Sequence, residues 1–383
     1  MFSLRTQLFT GVSSTYEFIS EIELHGVRKV LLLVDKAVAD NSMYFQRVRE
    51  SLAHKFMLKV YNLKIIAEPT YSFLDEVLDQ VRGMGKFDLI IGIGGGSALD
   101  TTKAVAALIN NQGRSIEFRG FNKIKNPGVP VACIPTTAGT GSEVTFNASF
   151  IDSSEMRKMG INGKNLFATY AVLDAKFTES CPRPVALSSG LDALVHTFES
   201  FTAKQANQVT RLFSINAFKL IYGSIEVALS GNQTDQSRQD LLLGSYFAGA
   251  ALFNSGSGIS GAISYPIGVH FKVPHGYAGG ITLPSVIKFN LDNKWFKYAD
   301  LLDAVDFDSR SSDESKSRNL YEKIQELYQR INAPVNFDFW NLSMKDLPKL
   351  KDLCKDLQPA FDQNPIYFSA ETDVPILLSK HFS

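Results

Sequence analysis

The sequence predicts an N-terminal α/β domain with a parallel, Rossmann-like sheet, followed by an all-α C-terminal domain. In the first half, short apolar runs alternate with amphipathic stretches of about ten to fifteen residues, a pattern typical of βαβ units. From about Pro182 onward, helical periodicity dominates and strand signals are almost absent. We therefore predict domains 1–178 and 179–383, with the boundary near Thr178.

The predicted elements follow in order along the chain. Strands are expected at residues 29–35, 57–63, 87–95 and 130–135, and helices at 42–56, 72–84 and 98–109. The second half predicts helices at 184–203, 209–229, 240–253 and 317–331. The polar, serine-rich segment 307–318 is typical of an exposed loop.

The composition argues against several classes of partner. The 383 residues carry 39 Lys and Arg against 39 Asp and Glu, so the net charge favours neither a nucleic-acid nor a membrane partner. No apolar run is long enough to span a bilayer, and the first residues lack the pattern of a signal peptide. The three cysteines are widely separated without CxxC spacing, which fits a reducing compartment. We expect a cytoplasmic protein.

The stretch Ile90–Leu108, IIGIGGGSALDTTKAVAAL, joins a predicted strand to a predicted helix through three glycines and a serine. These residues are Gly94, Gly95, Gly96 and Ser97. A backbone without Cβ atoms can turn sharply and present its N–H groups, together with the helix dipole, to a pyrophosphate. A tight turn without a ligand explains the same residues. Ser97 with Asp100 also matches a helix-capping pattern.

Two further features favour a nucleotide. The loop Cys133–Thr145 follows a predicted strand and is rich in hydroxyl groups and glycine, so it offers donors to phosphate or ribose oxygens. A hydroxyl-rich surface loop is the alternative. Asp35 ends the first predicted strand, where an acid in a dinucleotide fold binds the adenosine ribose hydroxyls and repels the extra phosphate of NADP. A turn-forming role for Asp35 stays open.

An aspartate and a histidine share one face of a predicted helix in the second half. Asp192 and His196 are four residues apart among apolar neighbours, and this spacing brings both side chains together. A carboxylate beside an imidazole makes half of a metal site. An Asp–His hydrogen bond without an ion is the alternative.

Four segments carry a resemblance to a known family. GGGSALDTTKA, PTTAGTGSEVT, SSGLDALVHTFES and VPHGYAGGITLP occur in the order, and close to the spacing, of the iron-containing (group III) alcohol dehydrogenases of the dehydroquinate synthase-like superfamily. The closing segment NPIYFSAETDVPILL extends the resemblance over nearly the whole chain. The resemblance implies an NAD(P)-linked, metal-dependent alcohol dehydrogenase, with nicotinamide and a divalent metal in a cleft between a dinucleotide-binding domain and a helical domain. It also implies a homodimer acting on a small-molecule alcohol.

The resemblance assigns roles to individual residues. It implies that the glycine stretch holds the pyrophosphate with Asp100 near it, and that Lys158 reaches the cofactor ribose. It implies that the hydroxyl-rich loop lines the cofactor through Thr136, Thr137, Thr140 and Ser142. It makes Asp192 and His196 metal ligands and adds His275, in VPHG, as a further ligand.

The metal segment departs from the family pattern. The family has two histidines in a pattern close to H-x-x-x-H-P-x-G, whereas this chain reads GAISYPIG, with Gly261 and Tyr265 at the histidine positions. Three explanations stay open. Asp192, His196 and His275 hold the metal alone, as in the related dehydroquinate synthases; His270 joins as a replacement ligand; or the site is degenerate and metal-free.

The departure suggests a substrate class. Glycine at position 261 predicts a larger pocket and an open coordination position, which suit a polyol or a sugar acid such as 3-deoxy-octulosonate better than a short alkanol. Tyr265 is expected to relay a proton or bind a substrate hydroxyl, with aromatic packing as the alternative. We expect NAD rather than NADP, and the donor types accept zinc or iron. A lyase with transient NAD use and a degenerate cofactor-binding protein are the competing functions.

Overall fold

The computed structural model describes residues 2–382. The chain divides into two compact units: one comprises Leu4–Pro182, and the other holds the chain from Arg183 onward together with Phe2 and Ser3. In the second unit, the Ser3 N–H donates to Oδ1 of Asn254 at 2.7 Å, and Nδ2 of Asn254 donates back to the Ser3 carbonyl at 3.1 Å. The domain limit at residue 178 stays a prediction.

The first unit contains all of the described strands and five α-helices. Its strands are β1 (Gln7–Thr10), β2 (Lys29–Asp35), β3 (Met57–Leu63), β4 (Leu89–Gly94), β5 (Gly120–Phe121), β6 (Val131–Pro135), β7 (Asn147–Asp152), β8 (Arg157–Asn162) and β9 (Tyr170–Leu173). Its α-helices are α1 (Ser14–Leu24), α2 (Lys36–Asn41), α3 (Met43–Lys55), α4 (Tyr71–Gly83) and α5 (Gly96–Leu108). Short 3₁₀ helices span Ser115–Phe118, Ser142–Val144, Lys164–Leu166 and Ala175–Thr178.

A six-stranded parallel sheet forms the centre of this unit, in the order β1-β9-β6-β4-β2-β3. The predicted Rossmann-like α/β fold is therefore confirmed. Adjacent strands β2, β4 and β6 end at Asp35, Gly94 and Pro135, which lie at the same edge of the sheet because parallel strands align their carboxyl ends. A second sheet, β5-β8-β7, was not anticipated from the sequence.

Alternation along β2 explains why helices cover both faces of the sheet. Leu31 and Leu33 pack in a core with α4 and α5, whereas Val30, Leu32 and Val34 pack in another with α1 and α3. Burial on both faces explains the unbroken apolar run in the sequence.

The second unit contains helices and no strand among its described residues, as predicted. Its α-helices are α6 (Arg183–Thr202), α7 (Gln208–Ala228), α8 (Asp235–Ser255), α9 (Ile259–Phe271), α10 (His275–Asp292), α11 (Ala299–Asp303), α12 (Asp313–Arg330), α13 (Leu347–Cys354), α14 (Gln358–Phe361) and α15 (Asp373–Leu378). Helix α6 packs against α7, α8, α9 and α10, so it occupies the middle of the unit. Among residues 2–382, no helix is long and apolar enough to traverse a bilayer.

The loop prediction for 307–318 is wrong in its second half. Helix α12 begins at Asp313, and the Ser312 side chain accepts from the Ser315 N–H at 3.2 Å. Serine and acidic residues favour helix N-caps and first turns as well as loops, which explains the error. The short strands β1 and β9 and helix α1 were also missed.

Candidate cofactor and metal sites

The glycine stretch lies at the carboxyl edge of the central strands. Gly94 ends β4, and a Cβ atom built on it would lie 3.1 Å from Cβ of Asp35, at the end of β2. Asp35 accepts the Ala37 N–H at 2.9 Å and caps α2. Burial raises the pKa of the Asp35 carboxyl, and the hydrogen bond from Ala37 opposes this effect. The structure thus brings Asp35 against the glycine stretch.

The hydroxyl-rich loop packs directly on the start of α5. A Cβ atom on Gly96 would lie 2.6 Å from Cγ2 and 2.7 Å from Oγ1 of Thr140, so only glycine fits there without a shift. The corresponding distance from Gly95 to Oγ1 of Thr137 is 3.4 Å, which is ordinary contact. Two segments separated by some forty residues in sequence therefore meet at one helix start.

The capping prediction for Ser97 is wrong. Gly95 is the N-cap of α5, and Ser97 lies inside the first turn. No side chain among residues 2–382 accepts from the N–H of Gly96 or Ser97. The first N–H groups of a helix have no intrahelical acceptor. The start of α5 therefore offers unpaired donors to an anion.

Asp100 instead holds the hydroxyl-rich loop. Its carboxylate accepts from Oγ of Ser142 at 2.5 Å and from the Ser149 N–H at 2.9 Å, and it lies 3.2 Å from Nζ of Lys103. Sequence analysis missed Lys103, which is fully buried and donates to the carbonyls of Ser142 (2.7 Å) and Asn147 (2.6 Å). A lysine among the buried apolar positions of α5 was the available signal.

Lys158 lies on β8, in the smaller sheet. Its Nζ is 2.7 Å from Oε1 of Glu68, and its register partner on β7 is Ile151. Its contact with a ribose stays a prediction.

Three side chains in the helical unit form a group with metal-ligand geometry. Asp192 and His196 lie one turn apart on α6, and His275 is the first residue of α10. Oδ1 of Asp192 lies 3.5 Å from Nε2 of His196 and 3.8 Å from Nε2 of His275. One donor atom from each residue falls within 4.8 Å of the others. Asp192 and His196 are buried, and His275 is partly exposed. His270, in the last turn of α9, is outside this group.

The group fits a divalent ion. Bonds of about 2.0–2.2 Å to nitrogen and oxygen place neighbouring donors of a four-coordinate ion about 3.3–3.6 Å apart, close to the distances from Asp192. One carboxylate and two imidazoles are also donors that zinc and iron accept. In addition, Nδ1 of His196 is buried and finds no protein partner in the described chain. The ring of Tyr265 packs on the His275 ring, with centroids 5.0 Å apart.

Glu199 is the second residue that sequence analysis missed. It lies three residues after His196 and seven after Asp192, so all three side chains share a face of α6. Its buried carboxylate accepts the N–H groups of Gly258 (2.7 Å) and Gly261 (2.8 Å), and it thereby caps α9. Burial raises the pKa of Glu199, and the two backbone hydrogen bonds oppose this effect. The i, i+4, i+7 spacing was a usable signal.

Glu199 also changes the interpretation of Gly261. A Cβ atom on Gly261 would lie 2.7 Å from Oε2 of Glu199. The space beside this glycine is filled by a carboxylate, so the expectation of an enlarged pocket on that side is wrong. The candidate metal site still has three protein donors, Asp192, His196 and His275.

Comparisons with known proteins find matches over most of the chain. The family description "Iron-containing alcohol dehydrogenase" matches residues 5–175, and "Fe-containing alcohol dehydrogenase family, C-terminal" matches residues 186–381. The chain is 31% identical to a sulfoacetaldehyde reductase of Bilophila wadsworthia, over 78% of each chain. It is 30% identical to an NAD-dependent methanol dehydrogenase of Bacillus methanolicus, over 77% of each. A solved 1,3-propanediol oxidoreductase shares the fold, with a TM-score of 0.92, 24% identity and full coverage of both chains.

Proposed function

The chain belongs to the iron-containing alcohol dehydrogenase family, and from that premise we propose that it transfers a hydride between NAD and an alcohol that carries further oxygen donors, such as a polyol or a sugar acid. That it is an NAD(P)-dependent alcohol oxidoreductase follows from the family itself. The proposal adds the cofactor preference, the residue roles and the substrate class.

Asp192, His196 and His275 would hold the divalent ion, which would supply Lewis-acid chemistry at this place, and a nicotinamide would supply the hydride chemistry. The family name points to iron, and the same donors accept zinc. We favour this three-residue arrangement over one in which His270 joins, because His270 is outside the donor group.

The α/β unit binds the dinucleotide. Unpaired N–H groups at the start of α5 take the pyrophosphate, and the loop with Thr136, Thr137, Thr140 and Ser142 lines it. Asp35 accepts the adenosine ribose hydroxyls, and its charge disfavours a 2′-phosphate, so NAD is preferred. Lys158 is the further ribose contact.

Tyr265 acts on the substrate. Its ring lies against His275, and a phenol can hydrogen-bond a substrate hydroxyl and relay its proton.

The substrate class depends on one observation: the donor group contains three protein side chains, and Gly261 contributes none. A catalytic ion held by three protein ligands keeps a fourth position for water or substrate, and it can accept a fifth donor during the reaction. A substrate with neighbouring hydroxyl or carboxylate oxygens offers such donors, whereas a simple alkanol offers one. The candidates include 3-deoxy-octulosonate.

The test compares matched alcohols. The enzyme is loaded with Fe²⁺ or Zn²⁺ and supplied with NAD, and NADH absorbance is followed with glycerol against 1-propanol and with sugar acids, including 3-deoxy-octulosonate, against their deoxy analogues. We expect higher kcat/KM for the member of each pair with more oxygens. NADH in proportion to product excludes transient NAD use.

Equal or higher kcat/KM for the alkanols would contradict the substrate class. No bound divalent ion after reconstitution would contradict the metal role. We also propose a homodimer acting in the cytoplasm, because the family resemblance implies a dimer and the three free cysteines fit a reducing compartment. Light scattering tests the dimer.

A further inference from the structure

A serine and a histidine outside the candidate cofactor and metal sites form a hydrogen-bonded pair in the helical unit. Oγ of Ser285, on α10, lies 2.9 Å from Nε2 of His381. Nδ1 of the same imidazole lies 2.8 Å from the Val335 carbonyl oxygen. Helix α10 begins at His275, so Ser285 lies ten residues, or about 15 Å, further along it. Each ring nitrogen of His381 therefore has its own partner, away from the candidate metal ligands.

The two partners fix the proton positions of this pair. A backbone carbonyl can only accept, so Nδ1 of His381 carries the ring proton and donates it to Val335. In the neutral ring, Nε2 then presents a lone pair, and the Ser285 hydroxyl donates to it. Burial lowers the pKa of His381, the hydrogen bond to Val335 opposes this effect, and Lys380 adds to the lowering. His381 is therefore uncharged at neutral pH and can accept a proton from Ser285.

The pair meets the geometric requirements for a nucleophilic serine. Such a serine needs a general base at about 2.6–3.2 Å and a third group that orients the base. The His381 imidazole lies at that distance, and the Val335 carbonyl orients it. His381 is only 7% exposed, whereas Ser285 is partly exposed. The base is thus shielded from water while the hydroxyl can still be reached.

A cavity of about 500 Å³ is lined by both members of the pair. Small-molecule sites commonly have about 300–1,000 Å³. The rest of its wall includes tyrosine and amide side chains from α12 and the segment that follows it, namely Tyr321, Gln325, Gln329 and Asn332. Within residues 2–382, no lysine, arginine, aspartate or glutamate lines it. The cavity therefore suits a small uncharged molecule.

We propose that Ser285 and His381 form a second reactive site, which takes the acyl group of a small uncharged ester. Oγ of Ser285 bonds to the acyl carbon, and the bond from that carbon to the alcohol oxygen breaks. The Ser285 proton passes through Nε2 of His381 to the leaving alcohol. Water then attacks the acyl-serine with the same proton relay and releases the carboxylic acid. The serine is regenerated, and no oxidant or reductant is needed.

The amide side chains of the cavity complete the chemistry. Acyl transfer passes through an oxyanion, which asparagine and glutamine side chains can stabilise through their N–H groups. Gln325, Gln329 and Asn332 are donors of this type in the cavity wall. The site needs neither the metal ligands nor the cofactor-binding residues, so its failure would leave the dehydrogenase proposal untouched.

The experiment treats the full-length protein with a fluorophosphonate, which reacts with activated serine hydroxyls, and locates the adduct by peptide mass spectrometry. We expect one adduct, on Ser285, and none in Ser285→Ala. His381→Gln keeps a polar side chain but removes the base, so labelling should slow about 100- to 10,000-fold. Ser379→Ala is the matched control, because this hydroxyl lies two residues before His381 and donates to the Ile376 carbonyl. It should label as the parent does.

Two esters test the substrate class. The metal-loaded enzyme is given para-nitrophenyl acetate, which is uncharged, or the anionic para-nitrophenyl hemisuccinate, and release of nitrophenolate is followed by absorbance. A metal-bound hydroxide also hydrolyses such esters, so only the activity that Ser285→Ala removes is compared. We expect that part to be faster with the acetate.

The labelling of the parent needs no variant, so it decides even if a variant fails to fold. A parent without an adduct, or with one only at another residue, overturns the proposal. So does His381→Gln labelling as fast as the parent, or Ser285→Ala hydrolysing the acetate as fast as the parent. The pair would then only tie the C-terminal segment to α10. Equal hydrolysis of both esters at Ser285 would overturn the uncharged substrate class.

Discussion

Two helices in this protein start at glycine-rich segments, and they differ in whether a side chain accepts their first backbone N–H groups. Helix α5 begins after its N-cap Gly95 and helix α9 after its N-cap Gly258, and neither glycine has a side chain that could cap its helix. At α9 a buried carboxylate, Glu199, accepts two backbone N–H groups and closes the end. At α5, among the residues that the structure describes, no side chain does so. Glycine at a helix start therefore indicates that another group comes close to the backbone there. The packing around the helix start tells whether that group is a ligand or part of the protein.

Removing the closing carboxylate should produce the largest effect. Glu199→Ala leaves the N–H groups of Gly258 and Gly261 buried without an acceptor, at about 1–3 kcal/mol each, so we expect a loss of roughly 2–6 kcal/mol in unfolding free energy. Urea denaturation followed by circular dichroism measures it. Glu199→Gln keeps one carbonyl acceptor and should lose less. If Glu199→Ala had the unfolding free energy of the parent protein, the start of α9 would not need an acceptor from Glu199.

A second buried glutamate, Glu143, lies near α5 and makes stability depend on pH. Burial raises the pKa of Glu143 from 4.5 to about 7, with Lys103 opposing this and Asp100 adding to it. Because the folded pKa is higher than the unfolded one, the associated stability is complete below pH 4.5 and is lost as pH rises through about 7. The difference is about 3 kcal/mol. Unfolding free energies from pH 4.5 to 8 should show this fall in the parent and not in Glu143→Gln.

Restoring the histidine of the family pattern at position 261 tests whether Glu199 fills the space beside Gly261. In Gly261→His the new Cβ meets Oε2 of Glu199 at 2.7 Å, and that oxygen is held by a backbone N–H. We expect a loss of about 1–3 kcal/mol from overpacking and no gain in zinc affinity. Thermal unfolding and chelator competition measure the two quantities. Tighter zinc binding at unchanged stability would show that this space is open after all.

The smallest effect should come from substitutions at the start of α5, where no side chain accepts the first backbone N–H groups. Gly96→Ala places a Cβ atom 2.6 Å from Thr140, but Thr140 is exposed and can turn away, so the cost should be about 1 kcal/mol, or about fivefold in NAD affinity. Gly95→Ala, with a nearest contact of 3.4 Å, should bind NAD nearly as the parent does. Calorimetric titration with NAD decides. Equal effects of the two changes would remove the argument for close approach at Gly96.

The sequence predicted those features that depend on local pattern. The apolar run of β2 and the strand-glycine-helix run of β4 and α5 carry their own signals, so the fold class was predictable. Asp192 and His196 lie one turn apart in α6, so spacing alone predicted that their side chains are neighbours, and the family resemblance added the metal role. His275 was identified only through family resemblance, because nothing local links it to α6.

The missed features depend on contacts distant in sequence. Glu199 reaches backbone groups 59 and 62 residues away, and Ser285 contacts His381 across 96 residues of sequence. Strands β1 and β9 are four residues long, too short for a periodic signal. The first residues of α12 are polar enough to resemble a loop until the N-cap at Ser312 is seen.

The contact between Glu199 and Gly261 has a consequence for laboratory evolution of this enzyme. Since Oε2 of Glu199 occupies the space that any side chain at 261 needs, the two positions are epistatic. A library randomised at 261 alone should return mostly glycine, whereas one randomised at both positions opens new donor sets. The order in which substitutions arise then decides which metal sites a lineage can reach.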